Sequence, residues 1–323
     1  MDIGQRAAKR IIFDSDTTMG LADCDVDDGL AILFAMGYAA CVAESGGSGS
    51  AVCAGNSTIE GICASYGNNT LDAVYENTHA LAQAFHLDVP VCKGAPDKDH
   101  PASEAAYFIV ERAHANPGEL SLAVTGSTTN LKGALALDPD VLSLYREVVL
   151  MGGITQTLAF NGTIMDELNL SCDPEATAMI FEAAARGANV VVATANNCLP
   201  ATFRRDEFLE RIATDREGGG VVRKLCTSWF DTMKRWYGLD EFCCWDVLVP
   251  AYILMPELFE SDPFDVVIDP RLLKAGFLEP GFKGVPTARI ATPRIADAKR
   301  FCETAYRLWG QAIASIEEQD PLR

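Results

Sequence analysis

The chain has 323 residues, 49% of them hydrophobic, which is enough for one large α/β domain or two smaller ones with a real core. A formal net charge of −19 argues against a nucleic-acid backbone or an anionic membrane as partner, because the densest cationic pair, Arg204 and Arg205, is answered at once by Asp206 and Glu207. No uncharged run, the apolar one from Gly29 to Ala43 included, reaches the roughly 20 residues of a membrane helix, and "MDIGQRAAKR" has no apolar signal core. The expected protein is soluble, unexported and cytoplasmic. Its eleven cysteines, odd in number and without a CxxC pair, read as reduced and mostly buried thiols, with Cys243 and Cys244 the one close pair.

The first predicted strand, "RIIF" at 10–13, runs into six aspartates between Asp14 and Asp28, and a helix follows over 28–43. "SGGSGS" at 45–50 reads as a flexible surface loop. Strands are then predicted at 59–65, 119–125, 147–153 and 189–194. Helices are predicted at 69–86, 102–115, 129–137 and 174–186, the last opened by Asp173 as N-cap before Pro174. Alternation of this kind predicts an α/β fold with a Rossmann-like, mostly parallel sheet covered on both faces. Beyond residue 200 the pattern turns helical, with the aromatic stretch 229–254 inside a subregion at about 203–260. Short strands and a closing helix near 297–318 complete the chain. We read one domain over 1–323, with the sheet core at about 8–200, a C-terminal part at 264–318, and the helical subregion over the sheet's carboxyl edge, where open α/β sheets bind ligands.

Asp14 and Asp16 end the first strand and Asp27 and Asp28 open the first helix, so both pairs should meet at that edge. A helix N-terminus supplies at most about 1 kcal/mol to each exposed carboxylate, too little to hold so many together. A hard cation such as Ca²⁺, with six to eight oxygen ligands, is the economical counter-charge. An EF-hand-like reading of "DCDVDD" at 23–28 fails, because its sixth position is Asp28 rather than Gly and its twelfth is Phe34 rather than Glu. "IIFDSDTT" satisfies the DxDx[TV] pattern of haloacid-dehalogenase phosphatases, which bind Mg²⁺, but no downstream GDxxxD or acidic pair accompanies it. Turn-forming and helix-capping aspartates are the plainest alternative, and six within fifteen residues exceed what that role needs.

Six later blocks occur in a fixed order: "SYGNNTLDAVYENTHAL" (65–81), "DVPVCKGA" (88–95), "AVTGSTTNLKGAL" (123–135), "VVLMGG" (148–153), "DELNLSCDPEATAMIF" (166–181) and "CWDVLVPAYILMPELF" (244–259). Together they resemble inosine-uridine-type nucleoside hydrolases over roughly residues 10–260. The opening stretch resembles that family's DxDxGxDDxxAI with extra residues between Asp16 and Asp27. The resemblance implies hydrolysis of the N-glycosidic bond of a small-molecule ribonucleoside, one tightly held Ca²⁺, and a homo-oligomer, dimer or tetramer. It places the ion on Asp16, Asp28, the Thr125 carbonyl and Asp246, with Asp16 as the catalytic base. The ribose falls to Asp27, Asn68, Asn161, Glu167 and Asn169, with Met151 lining the pocket.

Those residue types suit the chemistry. Carboxylates stabilise an oxocarbenium-like sugar, and amides beside a carboxylate both donate to and accept from vicinal hydroxyls. A lone Asp246 between Trp245 and an apolar helix would be costly to bury without a cation. Asn68 after Gly67 also suits a simple turn, and Trp245 also suits a core. The inserted residues leave Asp23, four before Asp27, as the alternative first ligand to Asp16. Ser127 and Thr128 replace the family's usual Pro-Leu, and Phe160 stands where a Gly is usual before Asn161. Trp245, in the place where pyrimidine-accepting members carry His, points to purine nucleosides, whose large bases stack for about 0.5–1.5 kcal/mol beyond area burial. Trp229, Trp236 and Tyr237 either shape the base pocket or pack, and His100 lies in a loop that could reach the site. Two other readings stand beside this one: a DxD phosphohydrolase using Mg²⁺, and a nucleoside-binding protein without turnover.

Overall fold

A computed structural model describes residues 9–45, 59–212 and 217–318; of the Gly/Ser loop, residues 46–50 lie outside them. Strand and helix alternate from the start: β1 (Arg10–Ser15), α1 (Asp27–Ser45), β2 (Ile59–Ala64), α2 (Leu71–Ala84), β3 (Val91–Lys93), α3 (Glu104–Ala115), β4 (Leu120–Val124), α4 (Thr129–Leu137) and β5 (Glu147–Met151). A hairpin of β6 (Ala159–Phe160) and β7 (Thr163–Ile164) precedes α5 (Pro174–Ala185), β8 (Val190–Ala193) and α6 (Ala195–Cys198). Next come β9 (Thr202–Arg204), α7 (Arg205–Ile212), α8 (Glu217–Tyr237), β10 (Glu241–Cys243) and α9 (Leu248–Leu254). The chain closes with β11 (Phe259–Val267), α10 (Pro270–Leu273), β12 (Thr287–Ile295) and α11 (Ala298–Glu318).

Eight strands form one sheet in the order β11-β12-β8-β5-β4-β1-β2-β3, parallel at every step except β11 against β12. The two-residue period of a strand divides the core. Ile11 and Phe13 of β1, with Val149 and Met151 of β5, face a cluster that holds side chains of α1, α9 and α11. Ile12, Val148 and Leu150 face the opposite cluster, with Ile109 of α3, Leu131 of α4 and Ile180 of α5. Both faces are therefore dry, which is why these strands read as unbroken apolar runs.

Helix α1 is apolar nearly all round because α11 covers the side the sheet does not. A Cβ at Gly37 would stand 1.8 Å from the Leu308 carbonyl oxygen, so only glycine permits this approach. The indole of buried Trp309 donates to the Leu30 carbonyl at 2.9 Å across the same seam. Asp173 caps α5 as expected, accepting from the Ala176 amide at 3.0 Å with Pro174 at the first turn.

Two expectations need correction, and one strand goes unforeseen. The aromatic stretch 229–254 is not one helix: α8 stops at Tyr237, Gly238 takes φ +67°, and β10 pairs antiparallel with β9 before α9 begins. The C-terminal strands are nine residues each and extend the main sheet. The three-residue edge strand β3 is too short to announce itself by periodicity. Among the described residues no helix is long and apolar enough to cross a membrane, and the ten described cysteines are all free thiols.

The strand order reverses beside β1: β2 and β3 lie on one side of it, β4, β5 and β8 on the other. Loops leaving the carboxyl ends of β1 and β4 diverge there and leave a crevice, the general ligand position in open α/β sheets. Asp16 and Thr125 stand at that point, one residue beyond β1 and β4.

Candidate active site

A cleft of about 180 Å³, continuous with open solvent, lies over this edge. Its floor is acidic, with Asp25, Asp27 and Asp246, and one wall carries Asn68, Met151, Glu167 and Asn169. The opposite wall is aromatic, built from Trp229, Trp236 and Tyr237 of α8 and from Trp245. Among the described residues no Lys, Arg or His lines it.

Asp16 lies beneath the floor, fully buried, where its Oδ2 accepts the Asn68 amide at 2.6 Å. This contact demands glycine at 67, because a Cβ there would fall 2.0 Å from that same oxygen. Asp28, in the first turn of α1, accepts from the Thr125 hydroxyl at 2.7 Å, and Asp27 accepts the Asp246 amide at 3.2 Å. The Thr125 carbonyl accepts from the Asn169 amide group at 2.8 Å. One α-helix start, two strand ends and the turn before α9 thus deliver the set.

Burial is the leading cause that raises every one of these carboxyl groups. Asp16 is pushed up to about 7 and Asp27 to about 6, while Asp28 and Asp246 go well above the usual carboxylate range. Mutual repulsion adds to burial: Asp25 acts on Asp16, Asp16 on Asp28, and Asp27 on Asp246. Asp27 Oδ1 and Asp28 Oδ2 are buried and accept no hydrogen bond from a described residue. A buried carboxylate oxygen without a donor is expensive. All-oxygen donors with these two orphans fit a hard divalent cation. Among the described residues no three Asp, Glu, His or Cys side chains already stand at chelating distances, so the fit rests on the orphaned oxygens and the uncompensated charge.

Of the residues expected at the site, Asp16, Asp27, Asp28, Asn68, Thr125, Met151, Glu167, Asn169, Trp245 and Asp246 come together here. Glu167 arrives with its carboxylate engaged: Oε1 accepts the Gly153 and Leu170 amides at 3.0 and 2.8 Å, and Oε2 accepts the Ser171 amide at 2.9 Å. It therefore clamps the loop that carries Asn169. Three residues stand apart. Asp23, the alternative first ligand, has an exposed side chain that pairs with Arg235 and accepts from Thr232 at 3.0 Å, which points it toward α8 and away from the floor. Asn161, at the tip of the β6–β7 hairpin with φ +49°, is exposed and donates to the Tyr237 carbonyl at 2.8 Å, so it braces the hairpin and does not line the cleft. His100 is exposed and its Nδ1 lies 2.8 Å from Asp97 on its own loop, also off the cleft.

Phe160 packs edge-on against Tyr237 and Trp245, at 5.9 and 6.5 Å between ring centres, and so supports the aromatic wall. Of the DxD pair only Asp16 joins the cluster's hydrogen bonds with Asn68. Asp14, buried like Asp16, accepts from Asn130 at 2.7 Å, so its carboxylate is engaged with α4. Sequence reasoning does not single out Asp25, which joins the floor, because nothing in an acidic run distinguishes the members that turn inward. Asp166, beside Glu167, is missed for a similar reason.

The chain is similar to known proteins in sequence and in fold. The probable uridine nucleosidase 2 of Oryza sativa subsp. japonica is 28% identical over 155 residues, 48% of this chain and 45% of that protein. The pyrimidine-specific ribonucleoside hydrolase RihB of Shigella flexneri serotype 5b (strain 8401) is 25% identical over 170 residues, 52% of each. The chain thus spans about half the length of these curated relatives. The purine-preferring ribonucleoside hydrolase from Gardnerella vaginalis superposes with a TM-score of 0.74 at 21% identity, over 95% of this chain and all of that one, which shows a shared fold. The model of the inosine-uridine preferring nucleoside hydrolases matches residues 11–291, and the chain belongs to that family.

Proposed function

We propose that this protein hydrolyses the N-glycosidic bond of ribonucleosides, giving ribose and a free base, with Ca²⁺ as its resident ion and purine nucleosides as its better substrates. The observation that carries the reading is a floor of buried, mutually repelling carboxylates beneath an aromatic wall, at the sheet's switch point. Asp16, Asp28, Asp246 and the Thr125 carbonyl would hold the ion. When bound, it supplies positive charge that ionises the cluster and lowers the pKa of water.

The rest follows from the chain's own groups. Asp16, positioned by the Asn68 amide, takes the proton of the attacking water at a carboxylate oxygen. Its neighbour Asp27 sets negative charge against the sugar as it becomes oxocarbenium-like. Asn169, tied to the Thr125 carbonyl, and Asp27 grip the ribose hydroxyls, so binding of the sugar and integrity of the floor are one arrangement. Trp245, Trp229, Trp236 and Tyr237 stack on and enclose the base, and a bicyclic base covers more of that wall than a pyrimidine does. The names of the relatives cover both base classes, so the aromatic wall of this chain is the ground for the purine preference.

A panel of inosine, guanosine, adenosine, uridine and cytidine, with base release followed for each before and after chelation and calcium replacement, tests the proposal. Purine release that depends on calcium supports it. Release from uridine and cytidine alone refutes the purine preference, and release indifferent to chelation refutes the role of the ion.

A further inference from the structure

We infer that Asp25, on the segment between Asp16 and Asp27 that the family pattern leaves without a counterpart, is a specificity residue that recognises the 2′-hydroxyl of the ribose. The inference rests on the ribonucleoside reading above. Asp25 is held in place by two donors: its Oδ1 accepts from the Asn68 side-chain amide at 3.1 Å and from the Thr18 hydroxyl at 3.2 Å. Thr18 also donates to the Asp25 backbone carbonyl, at 3.3 Å, so the loop's turn and the carboxylate are fixed together. The residue before it but one, Asp23, anchors the same loop to Arg235 and Thr232 of α8. The side chain is thus a preorganised feature of the cleft floor, not a solvated loop charge.

Its position selects the hydroxyl. Asn68 links Asp25 to Asp16, because the same side-chain amide reaches Asp16 Oδ1 at 3.4 Å. If Asp16 takes the proton of water attacking the anomeric carbon, the sugar atom nearest this corner is that carbon, and the hydroxyl next to it is the 2′-hydroxyl. Asp25 and Asp27 both line the cleft. Carboxylates so placed are matched by a hydroxyl that donates to Oδ2 of Asp25, since Oδ1 already accepts from Asn68 and Thr18.

A site built to accept from a substrate hydroxyl rejects the analogue that lacks it, because its own charged group is then left unpaired. The test compares kcat/KM for inosine and 2′-deoxyinosine in the full chain and in Asp25→Ala and Asp25→Asn, with calcium content measured on every sample. Asp25→Ala should lower kcat/KM on inosine by about tenfold to a hundredfold, the range for a hydrogen bond to a charged group, and lower it much less on 2′-deoxyinosine. Asp25→Asn keeps the shape and the hydrogen-bonding edge and should fall between. Calcium content should not change. Equal losses on the two nucleosides overturn the assignment, and loss of calcium from Asp25→Asn overturns it in favour of a metal ligand. If the unsubstituted chain releases base from no nucleoside, it is the ribonucleoside reading that falls, and this assignment with it.

Discussion

Removing divalent ions and raising the pH should destabilise this fold, and the size of the effect can be worked from Asp16. Its carboxyl is pushed up to about 7 from the ordinary 3.8, chiefly by burial and then by Asp25. The sign follows from which form the fold prefers. A raised carboxyl favours its neutral form when folded, so its stabilisation is complete below pH 3.8 and is lost as the pH climbs through about 7. At about 1.4 kcal/mol per pKa unit, Asp16 alone removes about 4 kcal/mol between pH 4 and 8, a large part of the 5–15 kcal/mol that holds a typical domain. Calcium at a thousand times its dissociation constant would return about 4 kcal/mol. Urea unfolding at pH 5, 6, 7 and 8, with chelator or with calcium, measures both terms. The metal-free protein should weaken steadily over this range, and calcium should restore it most at pH 8. Asp28→Asn sharpens the test, since it deletes one of the crowded charges: this variant should keep no calcium yet be more stable than the unsubstituted metal-free chain at pH 8. Metal-free stability that stays level or rises from pH 5 to 8 would refute the electrostatic reasoning.

Gly67→Ala should cut turnover about a hundredfold, because the new Cβ would occupy the space of Asp16 Oδ2, at 2.0 Å, and an error of about 1 Å in a reacting group costs that much; steady-state kinetics with unchanged kcat would contradict it. Asp23→Ala should leave calcium content untouched by elemental analysis, since its carboxylate is committed to Arg235 and Thr232; calcium loss would return Asp23 to the ligand set. Trp309→Phe removes the indole donor to the Leu30 carbonyl and leaves a gap in a dry seam, and should cost about 1–3 kcal/mol in urea unfolding; a variant as stable as the parent would show that seam to be wet or adaptable.

The amino-acid sequence by itself determined the βα alternation, the apolar strands buried on both faces, the Asp173–Pro174 helix start, and the meeting of Asp16 with Asp27 and Asp28 at one sheet edge. These follow from local period and from the rule that parallel strands carry their loops at one end, so position along the strand suffices. Which acids of the 14–28 run turn inward was decided only in three dimensions. Asp25 joins the floor because Thr18 and Asn68 donate to it, and Asp23 leaves because Arg235, more than two hundred positions away, claims it. The same holds for Asn161, drawn to the Tyr237 carbonyl, and for the split of 229–254, where Gly238 and the pairing of β10 with β9 override helical propensity. A side chain's orientation in a loop depends on partners remote in the chain, and no period along the sequence encodes them.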